Sequence, residues 1–250
     1  MTDGPKKARV TVVLPAYNAG NTLRDTYEKI AGQQVDEIIL VDDASRDDTF
    51  LQAKALGIIS IRHRHNLGYG GNQKTCYSVA LQGNADVVVM VHPDGQYDPA
   101  FLGAIVQPIL NGKADVVLGS RMFFRDQARK GGMPLYKYVS NIALTAIENF
   151  VLRRKLSEYH TGYRAYSRHF LETIPFMRNA NDFVFDTQVL VQAVAFGMRI
   201  AEIPVTTRYF TEASSVDFKN SVIYGVKTLG VLLRYILHRL GILRSRLFIS

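Results

Sequence analysis

The chain predicts an α/β fold, a mostly parallel wound sheet flanked by helices, closed by a C-terminal amphipathic helix. Three observations predict it. From residue 10 to residue 121, short apolar runs rich in Val and Ile alternate with longer helical stretches, the order that builds parallel strands joined by right-handed crossovers. The runs at 10–14, 37–41 and 87–91 lack polar alternation inside them, as expected of strands covered on both faces. Each run ends in a polar cluster, and in open α/β sheets the carboxyl ends of strands are where ligands bind.

Taken in order, the first strand covers 10–15 and is stopped by Pro15. Asn21 is placed to cap a helix over 22–32. The second strand, 37–41, closes on Asp42-Asp43, and Ser45 to Thr49 form a turn that feeds a helix to 56. A short strand at 58–61 leads into Asn66-Leu67-Gly68-Tyr69-Gly70-Gly71-Asn72, a glycine-rich turn opening a helix to 81. That turn is neither a Walker A loop nor a dinucleotide fingerprint, because Gln73 stands where both need a small residue. Tight turning and close approach to a ligand are both open for its glycines.

The run 87–91 is the central strand, ending in His92-Pro93-Asp94-Gly95-Gln96-Tyr97-Asp98-Pro99. Hard oxygen ligands at such a strand end suit a divalent cation holding phosphates, which singles out Asp94; Asp98 reads as the cap of a helix beginning at Pro99. A strand over 115–121 ends in Arg121, and 125–133 reads as a mobile loop over the site. A long helix over 134–152 follows, then a polar-aromatic segment, 159–166, that leads into another helix. Asp182 opens a helix running to 196, with Asp186 a turn deeper, where capping no longer explains it. The last strand is 200–205, and 206–215 is a loop dense in hydrogen-bond donors.

The final helix, 219–240, has apolar residues at 222, 226, 229, 233, 236 and 240, a continuous stripe, with Lys227, Arg234, His238 and Arg239 between them. Docking on its own domain or on a second subunit is the first reading of that stripe; a basic helix lying on anionic lipid is the second. Residues 1–218 therefore read as a catalytic domain and 219–250 as a basic amphipathic helix and tail.

Composition bounds the chemistry. With 250 residues and 47% hydrophobic content the chain can bury a full core. A net charge of +8 points to anionic partners. No nucleic-acid module signature appears, so nucleic acid is not among them. Cys76 is the single cysteine, which excludes an internal disulfide and fits a reducing cytoplasm. Residues 1–9 read as neither signal peptide nor anchor, and the longest uncharged apolar run, 187–198, is too short to span a bilayer. The expected location is cytoplasmic, with a peripheral position at the inner face of the membrane as the alternative.

Val13-Leu14-Pro15-Ala16-Tyr17-Asn18, Val41-Asp42-Asp43-Ala44-Ser45-Arg46-Asp47-Asp48-Thr49, Asn66-Leu67-Gly68 and the aspartate of His92-Pro93-Asp94-Gly95-Gln96 follow one another in the order found in family 2 glycosyltransferases, which the chain resembles over roughly residues 10 to 210. Thr161-Gly162-Tyr163-Arg164-Ala165-Tyr166 looks most like the dolichyl-phosphate mannose synthase branch. The resemblance implies a Rossmann-like GT-A fold and an inverting hexosyltransferase that moves a sugar from a UDP- or GDP-sugar to an anionic acceptor, a polyprenyl phosphate. A glycan or small-molecule hydroxyl is the alternative acceptor, and a catalytically degenerate nucleotide-binding protein is the alternative of another class.

The resemblance also implies roles for individual residues. Pro15, Ala16, Tyr17 and Asn18 surround the nucleotide, Asp42 or Asp43 reads base or ribose, and Gly68, Lys74 and Gln96 join the donor set. Asp94 holds Mg2+ or Mn2+ on the diphosphate and, with Asp186, is the catalytic carboxylate. Arg121, Arg164 and Arg208 match phosphate-binding positions, where guanidinium forks suit the task. Ser214-Ser215 replaces the expected Ser-Lys pair. His92 stands where the family usually has an acid; imidazole can ligate such a cation while preferring softer metals, so a metal ligand and a plain turn residue are both open.

Overall fold

The computed structural model describes residues 7–124, 129, 131–207 and 218–249. Its centre is a seven-stranded sheet in the order β3-β2-β1-β4-β6-β5-β7. The strands are β1 Val10–Ala16, β2 Glu37–Asp42, β3 Ile59–Arg62, β4 Val87–Met90, β5 Val116–Ser120, β6 Arg164–Ser167 and β7 Ile200–Pro204. The first four pair in parallel, while β6 runs antiparallel to both β4 and β5. The valine runs lack alternation because both faces are covered. Val13, Val88 and Met90 enter one core; Val12, Leu14, Val87 and Val89 enter the other.

Helices α1 Gly20–Ala31, α2 Thr49–Ala55, α3 Tyr69–Gln82 and α4 Leu102–Leu110 connect the parallel strands. They are followed by α5 Leu135–Leu152, α6 Arg168–Thr173, α7 Phe185–Ala195 and α8 Phe218–Arg239. Strand order reverses between β2 and β4 around β1, which opens a crevice at the carboxyl ends of β1 and β4.

Four local expectations are corrected. Pro15 does not end β1, which continues to Ala16; beside it β4 has already ended, at Val13↔Met90, so no ladder bond is lost to the missing N–H. Asn21 caps nothing. Thr49 Oγ1 and Asp47 Oδ2 accept from the amides of Ala19 and Gly20 at 2.8 and 2.9 Å and so serve the start of α1 from the next loop. Residues 164–167 form β6, a central strand, where only a lead into a helix was expected; a strand of four residues, the first three buried, leaves no periodicity to read. Asp186 lies in the first turn of α7, because that helix begins at Phe185 and not at Asp182.

The tail brings a larger correction. Helix α8 docks on the domain through Thr228, Val231, Leu232 and Tyr235, which are buried with Leu247 and Phe248 of the returning chain. The expected stripe is not that face. Val222, Val226, Leu229, Leu233, Ile236 and Leu240 all point outward and are exposed. Apolar residues lie nearly all round this helix, so spacing alone picks the most regular row and not the buried one.

Candidate active site

The crevice is a cleft of about 660 Å³. Its donor-side floor is the loop after β1. Asn18 sits at φ 52° and is held there from both ends: its amide donates to Ser45 Oγ at 2.8 Å, and its Oδ1 accepts from Arg46 N at 2.9 Å. Asn72, on α3, donates to the carbonyls of Ala16 and Val41 and so ties the ends of β1 and β2 together. Pro15, Ala16, Tyr17 and Asn18 line the cleft, with Tyr17 about half exposed.

The two aspartates after β2 separate in role. Asp42 is fully buried, faces Arg62 Nε at 3.1 Å and accepts from Ser45 N; it is not in the cleft wall. Asp43 is in the wall, but its carboxylate is already engaged by His63 Nδ1 at 2.7 Å and the amides of Leu67 and Gly68. It shapes the glycine-rich turn. Gly68, in the wall at φ 85°, leaves no room for a side chain, since a Cβ would lie 2.6 Å from Asn181 O. Gly70 and Gly71 approach Ala180, Phe185 and Leu67, so their smallness serves packing. Lys74 does not reach the cleft. Its ammonium donates to Asn179 O and Asn181 Oδ1, and it positions Asn181, which does line the cleft.

At the end of β4, His92, Asp94 and Gln96 all line the cleft. Thr22 Oγ1 donates to Pro93 O at 2.5 Å and Gln96 N to Asp94 Oδ1 at 3.0 Å, which fix the turn; Asp98 Oδ1 accepts from Ala100 N, the cap expected of it. His92 stacks on Tyr69, with ring centroids 5.5 Å apart. Tyr69 Oη donates to Asp186 Oδ2 at 2.9 Å and lies 3.2 Å from His92 Nε2. Burial first, and then the Asp186 charge, push the Tyr69 phenol well above its ordinary value, so it keeps its proton. With that proton spent on Asp186, the contact between Tyr69 and His92 is made with the hydrogen on the imidazole Nε2.

Asp94 is a hard oxygen ligand of the kind a divalent cation takes beside diphosphate oxygens and water, and His92 lines the same cleft. Among the described residues no group of three or more His, Cys, Asp or Glu side chains gathers to hold a metal by itself. A cation here would depend on its nucleotide.

Asp186 lines the cleft at the start of α7, but it is not idle. Gln73 Nε2 donates to its Oδ1 at 3.2 Å, Tyr69 to its Oδ2, and Arg164 Nη2 stands 3.4 Å away. Arg164 is correspondingly no phosphate fork: it is fully buried and absent from the cleft wall, with its donors on the carbonyls of Thr161, Tyr159 and Asp186. A strand that becomes central carries its arginine inward.

Arg121 does line the cleft. It donates from its amide and Nε to the fully buried Glu158 at 2.8 and 2.9 Å, and from Nη2 to His160 O at 2.8 Å. Asn141 Nδ2 completes the Glu158 shell at 2.8 Å. Next to it His160 bridges two helices, with Nδ1 2.9 Å from Tyr224 Oη and Nε2 3.1 Å from the buried Glu148. Tyr69, Gln73, Glu158, His160 and Tyr224 were given no role in the site from the sequence. Their partners are far along the chain, and no local spacing marks them. Arg208, Ser214 and Ser215 lie outside the described residues, as do residues 125–128 and 130 of the expected loop.

A wound sheet with a crevice at the β1/β4 switch point, lined by a strand-end carboxylate and Arg121, fits an enzyme of the α/β nucleotide-binding class. The model of Glycosyl transferase family 2 matches residues 11–174, and the chain belongs to that family. It is 28% identical over 231 residues, 86% of this chain and 91% of the relative, to UDP-N-acetylglucosamine--dolichyl-phosphate N-acetylglucosaminyltransferase of Methanococcus voltae. It is also 28% identical over 214 residues, 83% of this chain and 86% of the relative, to the dolichyl-phosphate hexose transferase of Haloferax volcanii. Glucosyl-3-phosphoglycerate synthase from Mycobacterium tuberculosis, solved with Mn2+, UDP and glucosyl-3-phosphoglycerate, superposes with a TM-score of 0.68 at 20% identity, covering 96% of this chain and 82% of that one. That likeness gives the fold, GT-A.

Proposed function

We propose that the chain is an inverting hexosyltransferase that moves one sugar from a UDP- or GDP-sugar to a polyprenyl phosphate, working peripherally at the cytoplasmic face of a membrane. The names of the two dolichyl-phosphate transferases support the acceptor class. One observation carries it over a hydroxyl acceptor. A hydroxyl must lose its proton as it attacks, and that calls for a carboxylate base within reach. Of the four cleft carboxylates among the described residues, Asp94 is assigned to the cation, and Asp43, Asp182 and Asp186 are each engaged, by His63 and two amides, by Lys227 and Val184 N, and by Tyr69, Gln73 and Arg164 respectively. A phosphate acceptor is ionised near neutral pH and needs positioning, not a base.

In this reading the Pro15 to Asn18 loop and Asp43 surround the nucleoside, with Tyr17 available to cover the base. Asp94, with His92, would hold Mg2+ or Mn2+ on the diphosphate. When bound, the cation offsets the charge that builds on the leaving diphosphate, at no proton cost. Gln96 supports the turn that presents Asp94. Asp186 acts as a positioning residue: it orients Tyr69 and, through it, His92. Arg121, held rigid by Glu158, faces the acceptor side, with Arg208, Ser214 and Ser215 assigned there from the resemblance.

The test is a transfer assay across UDP- and GDP-sugars with polyprenyl phosphate or free polyprenol as acceptor, with Mn2+ or with EDTA. Product only from the phosphate with cation present is the expected result. Product from polyprenol, or from sugar hydroxyls alone, would select the hydroxyl alternative. Donor binding without any turnover would select the degenerate binding protein.

A further inference from the structure

We propose that the outward face of α8, with the arginine recess at its C-terminal end, is a docking surface for an anionic lipid bilayer. The inference deepens the membrane-surface part of the function proposed above and rests on that reading for its purpose, though not for its geometry.

The first observation is the displaced stripe. Val226 and Leu240 are 65% and 67% exposed, and Val222, Leu229, Leu233 and Ile236 line up with them along the helix. Helix α5 adds Leu135, Val139, Ile147 and, at 85% exposure, Phe150. The two helices touch where Gly225 meets the Leu144 side chain. Single exposed apolar residues need no explanation, but two adjoining helices with apolar outer faces do.

The second observation is charge. Beyond α8 the stripe continues into exposed Ile242 and Leu243, and Leu243 also lines a recess formed with Arg178, Arg234, Arg244 and Arg246. The described lining contains no acid. Arg178 spends its guanidinium on the carbonyls of Arg246 and Ile249, which pins the returning chain and holds Arg244 and Arg246 beside Arg234. Among the described residues Arg234 and Arg244 have no hydrogen-bond or ion-pair partner. Guanidinium groups gathered without counter-charge repel one another, and phosphate oxygens relieve that repulsion.

A bilayer surface satisfies both halves at once, since the acyl boundary takes the stripe while lipid phosphates a short distance above take the arginines. A second copy fits worse. Helix α8 contains no acidic residue, so a mate packed against it in either direction brings no counter-charge from its own α8 to the arginine recess. The placement also serves the cleft, because α5 and α8 contribute Ser140, Leu144 and Tyr224 to its wall. Docking on this face brings the cleft mouth to the plane in which a lipid-borne phosphate presents itself.

The test is co-sedimentation of the full chain with vesicles of phosphatidylcholine alone or mixed with phosphatidylglycerol, in the absence of donor and acceptor. We expect binding to the mixed vesicles roughly tenfold or more tighter than to phosphatidylcholine. The double variant Val226→Asp/Leu233→Asp should lose most binding to either vesicle, and Arg234→Gln/Arg244→Gln should lose only the preference for the anionic lipid. Val226→Ser/Leu233→Ser provides a milder pair if the aspartates lower the melting temperature. Hydrolysis of a soluble nucleotide-sugar should be unchanged in all three, so loss of docking and loss of the transfer reaction are read separately. Equal pelleting of wild type and variants would overturn the proposal. So would absence of vesicle binding together with a dimer, seen by sedimentation equilibrium, that the aspartates split.

Discussion

Arg164 Nη2 lies 3.4 Å from Asp186 Oδ2, with the arginine side chain fully buried in the middle of the sheet and the aspartate at the edge of the cleft. Burial works against the guanidinium charge and Asp186 more than offsets it, so Arg164 remains a cation. The pair joins β6 to α7, and through Tyr69 it joins both to His92.

Breaking this pair should act on stability before it acts on chemistry. Arg164→Leu and Asp186→Asn should each lower the unfolding free energy by about 3 kcal/mol, because each leaves its partner buried with its hydrogen bonds but without its counter-charge. The double variant Arg164→Met/Asp186→Leu should recover part of that loss. Urea unfolding of all three checks it; a single variant within 1 kcal/mol of wild type, on the order of ordinary surface changes, would show that the pair does not hold the fold.

Asp94→Asn should lower cation-dependent turnover by about 100-fold or more, since an amide is a neutral and weaker ligand for a hard cation. His92→Asp should keep turnover and shift the preference from Mn2+ towards Mg2+. Rates measured across both metals decide the point. An unchanged metal profile would return His92 to a plain turn residue stacked on Tyr69.

Gly70→Ala should destabilise by about 1–3 kcal/mol, the usual range for overpacking. Its Cβ would stand 2.5 Å from Ala180 O and 2.7 Å from Phe185 Cβ, and neither neighbour is the end of a flexible chain. Gly103→Ala, where nothing lies within 4 Å, is the control and should be neutral or stabilising in thermal unfolding.

Glu158 carries a pH dependence. Burial alone would raise its carboxyl, but the Arg121 charge and the hydrogen bonds from Arg121 and Asn141 outweigh it and hold the group below its ordinary value of 4.5. A carboxyl depressed on folding contributes stability that is fully present above its unfolded value and is lost as pH falls through its folded value. Stability should therefore decline with acid below the ordinary carboxylate range. Glu158→Gln should be less stable at neutral pH and show a shallower acid decline, measured as melting temperature against pH. A parallel decline in both proteins would remove Glu158 from the account.

The β-branched runs, the polar cluster after each and the position of Asp94 at the end of the central strand were legible because strand burial and turn chemistry are local. So were Asp98 as a cap and the alternation that orders the parallel half of the sheet. What the chain's local pattern could not carry was direction. Arg164 and Arg121 look alike in the sequence, yet one closes a buried pair and the other faces the cleft; the difference is the insertion of β6 between β4 and β5.

Local pattern alone settles the α/β class, the family through ordered motifs, and the strand ends at which the cleft opens. Which charged groups are spent and which outer face of α8 is uncovered depend on the packed fold. Asp43, Lys74 and Asp186 are engaged by residues distant along the chain, and the α8 stripe is turned outward because Val231, Leu232 and Tyr235 bury more completely against α7 and the returning chain. Periodicity records that a face is apolar; only packing chooses what covers it.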